Sequence, residues 1–207
     1  MSWTDKVANS FLTVIEMLHD RNAIDYDDQQ MLSSFHRNEL AKLSNSKAST
    51  FNVDVKTKIR IIYILGKFAK NEFKRYVENA SFDLIIVVMA DKLTTNHQKE
   101  ISKIEEASKT EDETLTNNEL NMQFFTLKEL AFNITHHVLV PKHELVTDEQ
   151  EIQKIVEDYC LKSKHHFPII LKTDPVAKYY GAQSGSLFRI TRTSPSAGEY
   201  VLYRCCV

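Results

Sequence analysis

Glycine is scarce, four in 207 residues, and that shortage removes large functional classes. Phosphate-cradling loops of either nucleotide-binding type need clustered glycines whose backbone N–H groups can close on an anion. Ser184-Gly185-Ser186 is no nucleophile elbow, because the glycine two residues upstream is missing and a strand follows. No enzyme active site is legible, and no cofactor is expected. Only three cysteines occur, two of them adjacent at Cys205 and Cys206. They make a poor disulfide framework and suit a reducing compartment. No run of about 18 apolar residues is present, so no membrane span is expected. The apolar start Phe11–Leu18 is broken by Thr13 and Glu16 and has no small-residue cleavage site, so no secretory signal is expected. Asn79-Ala80-Ser81 and Asn133-Ile134-Thr135 then read as chance matches to the glycosylation pattern. Excess charge is missing too. A net charge of −2 argues against the broad basic surface of a protein that coats nucleic acid, and leaves room only for local patches. Neither an internal repeat nor a low-complexity tract is visible.

What is present is an ordinary globular composition, 43% hydrophobic and 26% charged, in a length that admits one domain or two small ones. Val7, Phe11, Val14, Ile15 and Leu18 recur at helical spacing over Asp5–Leu18, and His19-Asp20-Arg21-Asn22 ends that helix. A second helix is expected with Asp27 as cap, Gln30 completing a capping box, and Met31, Leu32 and Phe35 buried. Ser44–Thr50 reads as a loop, Phe51–Val55 as a half-buried strand and Ile59–Leu65 as a more buried one. Gly66 opens a helix with Ala69, Phe73, Tyr76, Val77 and Ala80 inward and Lys67, Lys70, Lys74 and Arg75 outward. Phe82–Met89 suits a central strand covered on both faces. A polar helix over Thr95–Lys109, an acidic loop over Lys109–Asn118, a strand Met122–Phe125 and a short helix Thr126–Phe132 follow. The alternation implies an open mixed sheet with helices packed on it.

The last stretch, Asp174–Val207, is the most explicit. Asp174 can cap a very short helix, Pro175 suits its first position, and Gly181 suits the left-handed residue past its end. A strand Ser186–Arg192 puts Phe188 and Ile190 on one face and Arg189 and Thr191 on the other. A Pro/Gly/Ser turn leads to a strand Tyr200–Cys205. So small an α+β cap needs a supporting surface. Upstream, Pro141 stiffens the segment Asn133–His143. Thr147-Asp148-Glu149-Gln150 reads as a capping box for a helix with Ile152, Ile155, Val156 and Tyr159 on one stripe.

Asp174-Pro-Val-Ala-Lys-Tyr-Tyr-Gly181, with the ordered run that follows to Arg204, resembles the C-terminal signature of the fifth-largest-subunit family of eukaryotic RNA polymerases, which has an archaeal equivalent. The family pattern is Asp-Pro-Val-Ala-Arg-Tyr-(Tyr/Phe)-Gly, a basic residue and Gly, a Val-Val-Lys-Ile-like strand, Arg-x-Ser-Glu-Thr-Ala-Gly-Arg-Tyr and a closing Tyr-Arg. Asn133-Ile-Thr-His-His-Val-Leu-Val-Pro-Lys-His143 and Leu18-His19-Asp20-Arg21 are similar to further family segments. The departures are Ser184 for a basic residue, Pro195 for an acidic one and Glu199 for an arginine. The resemblance implies an α+β chain in two parts: a mixed α/β jaw of endonuclease-like topology over 1–140, and an α+β assembly domain over 141–207. It implies a non-catalytic subunit of a multisubunit DNA-directed RNA polymerase that docks on the largest subunit, alongside other polymerase subunits, and lies near downstream duplex DNA. No membrane and no small-molecule substrate is implied. The expected interface residues are Asp174, Pro175, Val176, Tyr179, Tyr180, Gly181, Gly185, Arg192, Gly198, Tyr200, Tyr203 and Arg204. The DNA-proximal ones are Lys67, Lys70, Lys74 and Arg75, which could contact phosphates, and Thr94 and Thr95, at a helix start where the family has a hydroxyl-rich loop. The charge-changing departures point to a copy encoded by a large DNA virus, placed in host cytoplasm and virion; a cellular copy would be nuclear.

Other chemistry is weaker. His136, His137, His143, His165 and His166 with Cys160 would need to converge to hold a metal, and neighbours on a strand point apart, so no metal site is expected. Asp54-Val55-Lys56 has the carboxylate-x-Lys spacing of a metal-dependent nuclease, but Ile59–Leu65 offers no second carboxylate. A nuclease on the jaw topology is the alternative function; a free-standing adaptor using only the C-terminal module is a third.

Overall fold

The computed structural model describes residues 3–33, 50–55, 58–66, 73, 82–90, 121–194, 196 and 198–207. They fall in two compact units, 1–12 with 31–131 and 13–30 with 132–207. These differ from a division at 140–141 in grouping 13–30 and 132–140 with the C-terminal residues.

Helix α1, Trp3–Asp20, buries all five residues of the expected stripe, Val7, Phe11, Val14, Ile15 and Leu18, to 4% exposure or less. It ends in a Schellman closure: Asn22 adopts φ 57°, its N–H donates to His19 O at 2.8 Å, and the Ala23 N–H donates to Leu18 O at 2.9 Å. Helix α2, over residues 26–33, starts earlier than expected. Asp25 precedes it, and Asp28 Oδ2 reaches back to the Asp25 N–H at 3.2 Å, so the box is Asp25/Asp28 rather than Asp27/Gln30. Of the expected stripe Leu32 is buried, but Met31 is 64% exposed. Phe35 lies outside the described residues.

In the first unit, strands β1 (Thr50–Val55), β2 (Ile59–Ile64), β3 (Leu84–Met89) and β4 (Asn121–Thr126) form a sheet in that order. The β1–β2 pair is antiparallel and the other two are parallel, the mixed sheet expected from the strand order. β3 is central and buried from Ile85 to Met89, as its unbroken apolar run required. One sheet face packs Ile62, Ile64, Ile85, Val87 and Met89 with Phe73. On the other, fully buried Tyr63 stacks on Phe51, ring centroids 4.9 Å apart. Its hydroxyl lies 3.4 Å from Ser10 Oγ, and burial pushes its pKa up. The expected helix over 126–132 is a single turn. Thr126 and Glu129 cap each other reciprocally, but the turn closes with Leu130 N–H to Thr126 O at 3.2 Å and the tighter Ala131 N–H to Lys128 O at 3.4 Å and does not continue. The expected loop over 44–49, the helix after Gly66 apart from Phe73, the helix over 95–109 and the acidic loop lie outside the described residues.

The second unit holds strands β5 (Lys142–Val146), β6 (Ile169–Ile170), β7 (Leu187–Ser194) and β8 (Gly198–Cys206) in the order β5-β7-β8-β6. Helix α3 (Glu149–Asp158) covers one face, packing Ile152 and Ile155 on Val146, Phe167, Leu187 and Cys205. Helix α4 (Pro175–Tyr179) belongs to the other face, where Ala177 meets Ile170, Phe188, Ile190 and Cys206. Strand alternation explains the adjacent cysteines: both are free, and each fills the core on its own side of the sheet. The cap of α3 is Asp148, accepting from Gln150 N–H at 3.0 Å, not Thr147.

Candidate subunit-docking site

Helix α4 is five residues long, too short to hold itself together by hydrogen bonds alone. Its ends are therefore fixed by side chains. Asp174 Oδ1 accepts the Val176 N–H at 2.9 Å, and Pro175 takes the first position. At the other end Gly181 adopts φ 65°. Gly181 N–H donates to Lys178 O at 3.1 Å, and Ala182 N–H to Ala177 O at 2.9 Å, completing a Schellman motif whose left-handed position favours glycine.

A second cap comes from far away in sequence. Arg21 donates from Nε to Tyr179 O at 2.7 Å and from Nη2 to Lys178 O at 3.0 Å, placing a cation on the carbonyls at the C-terminal end of α4. Burial lowers Arg21 to about 10, which leaves it charged at neutral pH. Next to it, the Tyr179 hydroxyl donates to Asp20 Oδ2 at 2.7 Å and accepts from Asn133 Nδ2 at 3.0 Å. Burial first, then the Asp20 carboxylate, raises the Tyr179 pKa. Asn133 is the hub: 7% exposed, it also donates to Glu16 Oε2 at 2.9 Å, while its Oδ1 accepts from Thr135 N and Oγ1. With its amide so engaged, Asn133 is no open glycosylation acceptor. Glu16, Asp20, Arg21, Asn133 and Tyr179 thus form one polar network inside the second unit, with Asn133 and Tyr179 buried and the Asp20 end open to solvent. Sequence reasoning matched Leu18–Arg21 and Asn133–His143 to family segments but did not connect them; periodicity carries no signal for such a contact.

The structure sorts the expected interface residues by exposure. Val176 and Tyr179 are buried at 7% and 3%, so they brace the unit from inside and present no surface. Asp174, Tyr180, Gly181, Gly185, Arg192, Tyr203 and Arg204 are half-buried, and Pro175, Gly198 and Tyr200 are exposed. The turn at Val138 and Leu139, 96% and 84% exposed, was not singled out in the sequence. Lys67, Lys70, Lys74, Arg75, Thr94 and Thr95 lie outside the described residues.

Asp54 is not arranged as a metal ligand. Arg60, its cross-strand partner, grips the carboxylate with both arms at 2.6 and 2.7 Å, and that bond holds its pKa below the usual range. Lys56 lies outside the described residues. His136 and His137 sit on and just after a single 3-10 turn, Ile134–His136, not on a strand, so the expected reason for their divergence does not apply. His143 bonds the Pro141 carbonyl at 2.7 Å, His165 lies 3.8 Å from Cys205, and His166 pairs with Ser163. No group of three metal-ligating side chains gathers among the described residues.

Residues 132–206 match the family described as RNA polymerase Rpb5, C-terminal domain, a span that covers most of the second unit. A Dictyostelium discoideum protein called DNA-directed RNA polymerases I, II, and III subunit rpabc1 is 29% identical over 204 residues, covering 94% of each chain. Proteins called DNA-directed RNA polymerases I, II, and III subunit RPABC1 from Caenorhabditis briggsae and Caenorhabditis elegans are each 40% identical over 86 residues, 42% of this chain and 40% of theirs. Residues 132–206 thus carry the Rpb5 C-terminal domain, and by its signature and a relative aligned along nearly its whole length the chain is similar to the fifth-subunit family of eukaryotic DNA-directed RNA polymerases.

Proposed function

We propose that the chain is a non-catalytic subunit of a multisubunit DNA-directed RNA polymerase, that its C-terminal unit docks on the largest subunit, and that its N-terminal unit lies beside downstream DNA. The observation that carries this is the C-terminal domain over 132–206, whose short helix α4 is held by bonds from outside itself. The exposed apolar side chains of that unit, Val138, Leu139, Ile169, Leu171 and Tyr200, support a protein partner, since such groups concentrate at the cores of interfaces. The nuclease alternative is disfavoured by the Asp54–Arg60 grip. A Mg²⁺-dependent cleavage that vanishes in Asp54→Ala would restore it.

The DNA contact rests on Lys67, Lys70, Lys74, Arg75, Thr94 and Thr95 in the sequence. Phosphate contacts of this kind weaken with salt and carry no sequence preference. A polymerase with Lys70→Glu and Lys74→Glu should lose elongation stability more steeply with salt than wild type; equal behaviour at every salt concentration removes the DNA role. The charge departures at Ser184, Pro195 and Glu199 support a copy from a large DNA virus, working in host cytoplasm and carried in the virion. Mass spectrometry of purified virions and of nuclear fractions decides between that placement and the nucleus. For the assembly claim, affinity purification of the tagged full chain from its native cell should recover the largest subunit; recovery of no polymerase subunit overturns it.

A further inference from the structure

One face of the second sheet carries two arginines whose donors have almost nothing to bond. In the β7–β8 ladder Ile190 stands opposite Leu202, Phe188 opposite Arg204, and Arg192 opposite Tyr200. Cross-strand partners and residues two apart share a face, so Arg192 and Arg204 flank the Ile190–Leu202 row from its two sides. His143 of β5, opposite Ile190, extends that row. Both arginine Nε atoms are enclosed and have no partner. Arg204 makes one long bond, from Nη1 to Ile169 O at 3.4 Å, and Arg192 makes none among the described residues. A guanidinium offers five N–H donors, and leaving enclosed charged donors unpaired is costly. The patch is short of an acceptor. Its histidine does not supply a competing cation: burial above all, with the charges of Arg192 and Arg204, lowers the His143 pKa against the opposing pull of Pro141 O and Asp174.

We propose that Arg192 and Arg204 receive the carboxylates of an acidic segment of a partner protein. This rests on the docking reading above and names the chemistry of the surface that meets this sheet face. The planar fork of arginine matches a carboxylate with two parallel bonds. Tyr200, 39% exposed, stands directly across from Arg192, and both residue types are enriched among the few side chains that carry most interface binding energy. A nucleic-acid backbone fits less well. Asp174 lies close enough to His143 to act on its pKa, so a continuous run of phosphates, with no gap in its charge, would meet that carboxylate as well as the arginines.

The test compares the free full chain with the assembled polymerase. Phenylglyoxal, which modifies arginine, should react with Arg192 and Arg204 in the free chain, and both should be protected in the polymerase. In a polymerase carrying Arg192→Lys and Arg204→Lys, carbodiimide coupling should join the new amine at position 192 or 204 to an Asp or Glu of another subunit. Arginines that stay reactive in the assembled polymerase overturn the inference and leave the docking reading intact, as does an assembled Lys variant with no such link. Links to nucleic acid overturn it in favour of phosphate. If the Lys variant fails to assemble, protection of the wild-type arginines decides. Failure of the wild-type chain to recover any polymerase subunit overturns the docking reading itself.

Discussion

At the scale of single residues, the polar network around Asn133 makes sharp demands. Tyr179→Phe deletes a hydroxyl that serves Asp20 and Asn133 together. It leaves the buried Asn133 amide one bond short while Asp20 stays open to water, and should cost about 1 kcal/mol in chemical denaturation; a loss near zero would mean that water replaces the hydroxyl. His143 carries a pH dependence. Its folded pKa lies below the ordinary 6.5, mainly through burial, with Arg192 and Arg204 adding and Pro141 O and Asp174 opposing. A histidine of this kind binds its proton less readily folded than unfolded. Its contribution is therefore complete above pH 6.5 and is lost as pH falls from 6.5 through the lowered value. The melting temperature of the isolated chain should fall across that window, and His143→Gln should flatten the fall; identical profiles would exclude His143 as its source.

At the scale of elements, three helices end in the same way, with a left-handed residue closing a Schellman motif: Asn22 after α1, Cys160 after α3 and Gly181 after α4. Only the last is glycine, the residue without a steric penalty there. Gly181→Val should cost about 1–3 kcal/mol, while Cys160→Gly should stabilise by about 1 kcal/mol by relieving φ 52°. Thermal melts of the two variants should move in opposite directions; a shift in the same direction would show that something other than the αL position sets the effect. These ends were partly legible. Asp174, Pro175 and Gly181 announce both termini of α4 because caps are local chemistry. Strands β1 to β4 and their mixed order were legible from alternation and apolar runs. The caps at Asp25 and Asp148 were each misplaced by one or two residues, because several acidic or hydroxyl residues in a row satisfy the same local rule. The helix expected after Thr126 is cut to a single turn, and the bonds of Asn133 to Glu16 and Tyr179 just beyond it are contacts that no local pattern records. The paired cysteines were opaque until β8 showed them on opposite faces.

At the scale of the whole molecule, the C-terminal unit is not a contiguous stretch of chain: it includes residues 13–30. The resemblance divides the chain at 140–141, beside Pro141, into a jaw and an assembly domain that would be contiguous stretches. The bonds of Glu16, Asp20 and Arg21 to Asn133, Lys178 and Tyr179 give that unit a component from α1 and the turn after it. A fragment of residues 132–207 loses the cation on the α4 carbonyls and the carboxylate on Tyr179. It should melt at a lower temperature than a chain in which 13–30 is retained; equal melting would show that the α1 contacts add nothing to stability. The functional conclusion stands on this same unit, since it carries the family domain and the exposed side chains. Native mass spectrometry of the polymerase purified from the native cell tests it most directly, because gentle dissociation reads out which subunits remain joined. The expected result is one copy of this chain per largest subunit and a binary subcomplex of the two. A polymerase without the chain, or subcomplexes that pair it only with other subunits, would contradict the account.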